Sequence, residues 1–362
     1  MDVRVHIALA AGRRSRATSV LLLIILALAC RPARSQDLVA GAAAPLFASD
    51  DPLKLTITLD FDPVFSDRAE NRDYQPAMLY YTSDEGGQIA LDLGIKTRGF
   101  YRLHWLDCDI PPLRLNFKKK QVEGTVFEAQ DKLKLVTHCR NRSDRFQQYV
   151  FQEYLLYRTY SVLTAASFLT RLVEITYVDS RRRHDPVTKY GFLIEDEDRM
   201  AERNGAKLIE SGAMIHPEAT RRDAMTLLTV FQYMIGNTDW VVTTRHNIRL
   251  IYVDATSDIV AVPYDFDWAG IISTPYATPD PQLKLFSVRE RRFMGFCRTE
   301  DEFAAAFEFL RERQEAILSL FRNFPLLEAK YAERSTEYLE DFYETIQQPK
   351  LVRRDFDNVC LR

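Results

Sequence analysis

In the first half of the chain apolar and polar residues alternate. Leu53, Leu55, Ile57, Leu59 and Phe61 are apolar with polar residues between them, and the same period of two recurs at Ile89, Leu91, Leu93 and Ile95 and at Leu113, Leu115 and Phe117. That is the period of a strand with one buried face. Shorter strands are predicted at 132–137, 172–178 and 189–194. One helix interrupts them: Phe146, Val150, Phe151, Tyr154 and Leu155 fall on one side at helical spacing, and Ser143 or Asp144 can cap it. After Glu195 the period changes. His216-Pro217-Glu218 opens a segment with an apolar stripe at Ala224, Leu227, Leu228, Phe231, Met234 and Ile235, and Gly236 stops it. Two short strands follow, at 248–253 and 259–262. Thr299 with Glu302 forms a capping box whose helix continues through Phe303, Phe307, Leu310, Gln314, Ile317 and Phe321, and Pro325 starts another helix toward Ile346. The pattern predicts an α+β protein, a strand-rich part followed by a helix-rich part with a cleft between them.

Composition supports a folded, non-basic protein. Of 362 residues 46% are hydrophobic, enough for a sizeable core. Lys and Arg number 48 and Asp and Glu 51, but the first 35 residues hold six Arg and one acid; beyond them 42 basic residues face 50 acidic ones, about −8. A nucleic-acid partner is not expected from such a balance. The N-terminus has an Arg-bearing lead, the apolar run Val20 to Ala29 and Ala33-Arg34-Ser35 as a small-x-small cleavage site, the pattern of a signal peptide over 1–35. Its apolar run is shorter than the roughly 20 residues of a membrane span. Cys30 offers a second reading, a lipid anchor at an imperfect lipobox, and Arg13-Arg14 hints at twin-arginine export. The chain is therefore expected to be exported, to a periplasmic, extracellular or outer-surface location. Export favours disulfides over a zinc site for Cys108, Cys139, Cys297 and Cys360, which show no C-x-x-C spacing. Of the three pairings, position favours Cys108 with Cys139 and Cys297 with Cys360.

The sequence has no H-E-x-x-H, G-x-S-x-G, Walker loop or G-x-G-x-x-G. What stands out is a group of carboxylates in apolar surroundings: Gly236-Asn237-Thr238-Asp239-Trp240 after the apolar helix, His246-Asn247 before the next strand, and Pro263-Tyr264-Asp265-Phe266-Asp267-Trp268 after the one beyond. In an extended segment Asp265 and Asp267 share a face, and burying two like charges together is costly unless a cation or donors offset them, a divalent metal being the simplest. Each piece alone has a plainer reading, a helix stop or a solvated turn. The order of helix, Asp239, Asn247 and, after a hairpin, Asp265 is the phosphoryl-transfer layout of protein kinases.

These segments resemble the G-N-x-D…N…P-[WY]-D-F-D pattern of the spore-coat CotH kinases, atypical members of the protein-kinase-like fold related to the HipA-type kinases. Upstream, Gly94-Ile95-Lys96-Thr97-Arg98-Gly99 is similar to the family's phosphate-covering strand end, and Ile110 to Phe117 is similar to its segment bearing a phosphate-contacting Lys. That Lys is absent here; Arg114 lies closest, and Lys132 or Lys134 could supply the charge instead. Tyr190 to Glu195 resembles the strand leading to the adenine-contacting hinge. The matches run from about Gly94 to Gly270, half of the chain. Two departures accompany them: Asn247 follows Asp239 by eight residues rather than the usual five, and Asp267 stands where ordinary kinases carry Gly.

The resemblance implies a two-lobed protein-kinase-like fold, with a β-rich N-lobe over 36–195 and a helical C-lobe over 196–362 carrying the catalytic and metal-binding loops. It implies an ATP- and Mg²⁺- (or Mn²⁺-) dependent phosphotransferase acting on protein Ser/Thr hydroxyls. Asp239 would orient the hydroxyl, Asn247, Asp265 and Asp267 would hold metal, and Glu153 would position the cation at Arg114, Lys132 or Lys134. Arg98 and Glu195 would contact the nucleotide. The alternatives are an exported pseudokinase or a binding or structural protein on the same scaffold, and a Ca²⁺-stabilised surface protein using Asp265 and Asp267.

Overall fold

The alternating segments pair side by side and close on themselves. The computed structural model describes residues 41–362 apart from 105, 107, 211 and 213, so the signal peptide expected over 1–35 and the expected lipid anchor at Cys30 lie outside the described residues. Strands β1 (Leu53–Leu59), β2 (Gln75–Thr82), β3 (Gln88–Thr97), β4 (Leu113–Phe117), β5 (Lys132–Val136), β6 (Thr170–Asp179) and β7 (Val187–Ile194) form a closed barrel in the order β1-β2-β3-β4-β5-β7-β6. Every neighbour is antiparallel except β1 and β6, which run parallel with Leu53 opposite Val173. Closure leaves no unpaired edge. Alternate residues such as Ile57, Leu79, Ile95, Leu115 and Leu133 fill the interior and are fully buried. Strand β2 is the element the pattern hides: Pro76 and the run from Ala77 to Tyr81 mask a period of two, although Ala77, Leu79 and Tyr81 are the buried positions.

Between β5 and β6 the helix Asp144–Leu163 crosses from the barrel to the helical part, with Ser143 at its N-cap but making no side-chain cap bond. A second sheet, in the order β10-β9-β8, joins β8 (Ala206–Leu208), β9 (Ile248–Val253) and β10 (Asp258–Pro263). The capping box forms as predicted at Thr299 and Glu302, but its helix ends at Arg311 and the stripe resumes in a second helix, Gln314–Arg322. The last long helix is Ala329–Gln347.

The fold is thus mixed α+β, with a closed barrel where the resemblance implies an N-lobe. The described residues belong to one compact unit. The reason is visible in the packing: one apolar cluster runs from Val136, Leu172 and Phe192 of the barrel through Phe151 and Leu155 of the crossing helix to Phe321, Leu339 and Phe342.

Disulfides join Cys108 to Cys139 and Cys297 to Cys360, the pairing that position favours. The second clips the C-terminus, where Cys297 N–H donates to Leu361 O at 2.9 Å. Closing a loop of 63 residues restricts the unfolded chain. Replacing Cys297 and Cys360 together by Ser is expected to lower the stability read from urea unfolding by roughly 2–4 kcal/mol. Among the described residues no helix is long and apolar enough to cross a membrane.

Candidate functional site

The helix Arg222–Ile235 ends at Gly236, which adopts a left-handed conformation at φ 67°. A Cβ there would lie 2.0 Å from Tyr338 Oη, so only glycine fits on both counts. The chain then turns through Asn237, whose Oδ1 accepts from Asp239 N–H at 3.0 Å and fixes the Asp239 backbone. The β9–β10 hairpin does the rest. Ile248 pairs with Pro263, and Tyr264 N–H donates to Asn247 O at 3.0 Å, so the residue before β9 and the residues after β10 lie side by side. Asn247 Nδ2 donates to Asp239 O at 2.8 Å and to Asp239 Oδ2 at 2.9 Å. Asp239, Asn247 and the start of the 264–268 segment are thereby joined. The eight-residue spacing is accommodated by a tight turn in which Val241 and His246 exchange backbone hydrogen bonds.

Asn247 and Asp265 both sit at positive φ, 53° and 61°. Asn and Asp tolerate this region better than most side chains. The segment is therefore not extended at Asp265, and the alternation expected to put Asp265 and Asp267 on one face is broken there. Asp265 N–H donates to the buried Tyr157 hydroxyl at 2.9 Å, while its carboxylate has no hydrogen bond or ion pair among the described residues. Asn247 Nδ2 is held by Asp239, and Asn247 Oδ1 accepts no hydrogen bond from the described residues. Asp265 follows Tyr264, whose backbone is bonded to Asn247, and a carboxylate with an amide oxygen is a donor set that suits a hard divalent ion such as Mg²⁺, which completes its shell with water and phosphate. Among the described residues no three His, Cys, Asp or Glu side chains are grouped as a metal site by themselves.

Asp267 is engaged elsewhere. Its Oδ2 accepts from Arg102 Nη2 at 2.9 Å, from Arg102 Nε at 3.2 Å and from the Tyr276 hydroxyl at 3.0 Å. Arg102, on the short helix Tyr101–His104 after β3, also donates to Glu153 Oε2 at 3.1 Å. Glu153 is 1% exposed and its Oε1 has no partner. Burial raises the Glu153 carboxyl to about 8, helped by Asp267 and Asp265 and opposed by Arg102. Burial raises Asp267 as well. Burial would lower Arg102, but Tyr276, Asp267 and Glu153 hold it well above the usual arginine value.

On the outer face of the barrel three cations line up across neighbouring strands: Lys96 opposite Arg114, and Arg114 opposite Lys134. Lys134 Nζ lies 4.9 Å from the centre of the Tyr264 ring, which places the Lys134 end of this row against the segment carrying Asp265. Arg249 pairs with Glu197 and stacks on the same ring at 4.6 Å. Burial lowers Lys134 to about 8; Glu197 at 3.7 Å opposes the shift, and Arg98, Arg249 and Arg114 add to it. The Nε atoms of Arg98 and Arg114 are buried without a hydrogen-bond partner. An orphaned buried donor costs about 1–3 kcal/mol, which an anion seated here would offset.

The structure therefore brings Asp239, Asn247 and Asp265 together, with Lys134, Arg114 and Arg98 close by. Lys132 lies at the exposed end of β5. The cation that meets Glu153 is Arg102 rather than Arg114, Lys132 or Lys134. Glu195 is buried, with its carboxylate taken by Arg203 at 2.8 Å and by Leu169 N–H at 3.0 Å. Arg102 and Tyr276 had no sequence signal. His246, whose Nε2 lies 2.7 Å from Asp239 Oδ1, was within reach as the neighbour of Asn247.

No family model matches the chain, and no curated protein matches it. A solved structure, that of the Helicobacter pylori proinflammatory kinase CtkA, is similar at 11% identity over 70% of this chain and 94% of that chain, with a TM-score of 0.36. At that overlap the likeness adds nothing to what the side chains say.

Proposed function

We propose that the chain is an exported, kinase-like phosphotransferase of the CotH type that uses ATP and a divalent ion to phosphorylate protein Ser/Thr hydroxyls. The supporting observation is the junction of Asp239, Asn247 and Asp265 opposite cations whose buried donors lack partners. Lys134, Arg114 and Arg98 would bind the phosphates of ATP, and Asp265 with Asn247 Oδ1 would hold Mg²⁺. The ion would neutralise charge developing on the transferred group. Asp239 would orient the acceptor hydroxyl from the place where His246 now meets it. Arg102, Glu153 and Asp267 form a buried brace under this arrangement, so Asp267 is assigned to the brace rather than to metal. MgATP at 100 times its dissociation constant should stabilise the protein by roughly 2.7 kcal/mol. That appears as a raised melting midpoint, and an unchanged midpoint would remove the reading.

One observation favours a nucleotide-binding protein without transfer: both Asp239 carboxylate oxygens already have partners. Incorporation of labelled phosphate into a protein acceptor separates the two.

Lys134 makes binding pH-dependent. A cation lowered to about 8 loses its proton as pH rises through that value, so MgATP affinity should fall from pH 7 to pH 9. The fall should disappear in Lys134→Arg, which stays charged. Free-protein stability moves the other way. Between about 8 and 10.5 the unfolded chain holds a proton that the folded one has released, so stability rises with pH over that window. Calorimetric titrations at several pH values, with chemical unfolding alongside, check both signs.

A further inference from the structure

A cavity of about 450 Å³, without Asp239, Asn247 or Asp265 in its wall, is lined by Arg145, Tyr149, Ser273, Pro275, Lys330, Tyr331 and Arg334. Two helices build it. Asp144–Leu163 presents Arg145 and Tyr149, and Ala329–Gln347 presents Lys330 and Arg334, in each case four residues apart and so on one face. The Tyr149 and Tyr331 rings meet edge to face at 6.4 Å and form an aromatic wall. No carboxylate is among the lining residues. Lys330 is paired with Glu328 at 2.8 Å, but Arg145 and Arg334 have no ion pair among the described residues.

Arg145 and Arg334 bring two charges without an ion pair to one concavity beside Lys330, whose charge Glu328 already meets, and two guanidiniums with an ammonium offer the fork-shaped and point donors that bind phosphate oxygens. Ser273 adds a hydroxyl. We infer that this cavity binds a phosphomonoester, independently of the reading of the Asp265 site. The wall formed by Ser273 and Pro275 continues into that site: Thr274 Oγ1 donates to Asp267 O at 3.2 Å and Tyr276 Oη to Asp267 Oδ2 at 3.0 Å. An occupant is therefore tethered, through one short segment, to the Arg102 brace.

The test is calorimetric titration of the full chain with inorganic phosphate, phenyl phosphate and a phosphotyrosine peptide, at fixed ionic strength. Saturable one-to-one binding is expected, roughly tenfold weaker in each of Arg145→Ala and Arg334→Ala. Lys134→Ala should leave it unchanged, which separates this cavity from the nucleotide site. Phenyl phosphate and the peptide binding more tightly than inorganic phosphate supports a phosphorylated side chain as the ligand; equal affinity would overturn the phosphomonoester assignment in favour of free phosphate. Melting of the two Arg variants without ligand verifies that they fold. Binding that does not saturate, or that survives both Arg substitutions in folded protein, overturns the inference.

Discussion

Arg102→Met is expected to destabilise the protein by about 3–5 kcal/mol, the cost of leaving buried charge without its partner. Among the described residues this side chain is the cation that meets two buried carboxyl groups: Asp267, whose charge it balances, and Glu153, which, raised to about 8, mostly keeps its proton at pH 7. Removing it leaves those groups beside each other with only Tyr276 to donate to them. Methionine fills much of the volume, so the loss reports charge rather than a cavity. Adding Glu153→Gln and Asp267→Asn to Arg102→Met should restore most of the loss, because a neutral cluster needs no counter-ion. Urea unfolding at pH 7 measures both variants against the unsubstituted chain. A loss below about 1 kcal/mol, the range of an exposed ion pair, would mean that the brace does not hold the site together. The pH dependence has a definite sign. A carboxyl raised from 4.5 to about 8 binds a proton in the folded state that the unfolded chain lacks. Glu153 therefore makes stability fall as pH rises between those values, and Glu153→Gln should flatten that slope.

The second large effect is on transfer. Asp265→Asn is expected to reduce phosphate incorporation by on the order of a thousandfold while leaving the melting midpoint unchanged. Asparagine keeps the tolerance for the left-handed backbone that Asp265 occupies at φ 61°. It removes only the charge that would hold the divalent ion. No ion pair or hydrogen bond is lost, because the carboxylate has none among the described residues. A variant that kept near-normal incorporation would detach Asp265 from the chemistry. One that unfolded would show that the residue serves the hairpin instead.

Much of the barrel was legible because a strand with one buried face writes its period directly. The segments around Ile57, Leu93 and Leu115 became β1, β3 and β4, and the β9–β10 hairpin lies where the short apolar runs placed it. The helix carrying Glu153 was legible for the same reason at a different period. Strand β2 was not, since Pro76 and adjacent apolar residues obscure alternation. Barrel closure was not either, because it depends on β1 meeting β6, a pairing that no local pattern encodes. The site divides along the same line. Asp239, Asn247 and Asp265 could be singled out because a helix stop and a hairpin order them along the chain. Arg102 could not: it meets Glu153 across 51 positions and Asp267 across 165. The choice between Lys132 and Lys134 turns on register, and the pairing of Arg114 with Lys134 favours Lys134.

The proposal that Asp239, Asn247 and Asp265 form a metal–nucleotide site is tested most directly by a crystal structure of the protein with Mn²⁺ and a non-hydrolysable ATP analogue. The account predicts an anomalous manganese peak between Asp265 and Asn247 Oδ1, with the phosphates against Lys134, Arg114 and Arg98 and the terminal phosphate facing Asp239. Manganese or nucleotide found elsewhere, or no nucleotide at saturating concentration, would contradict it.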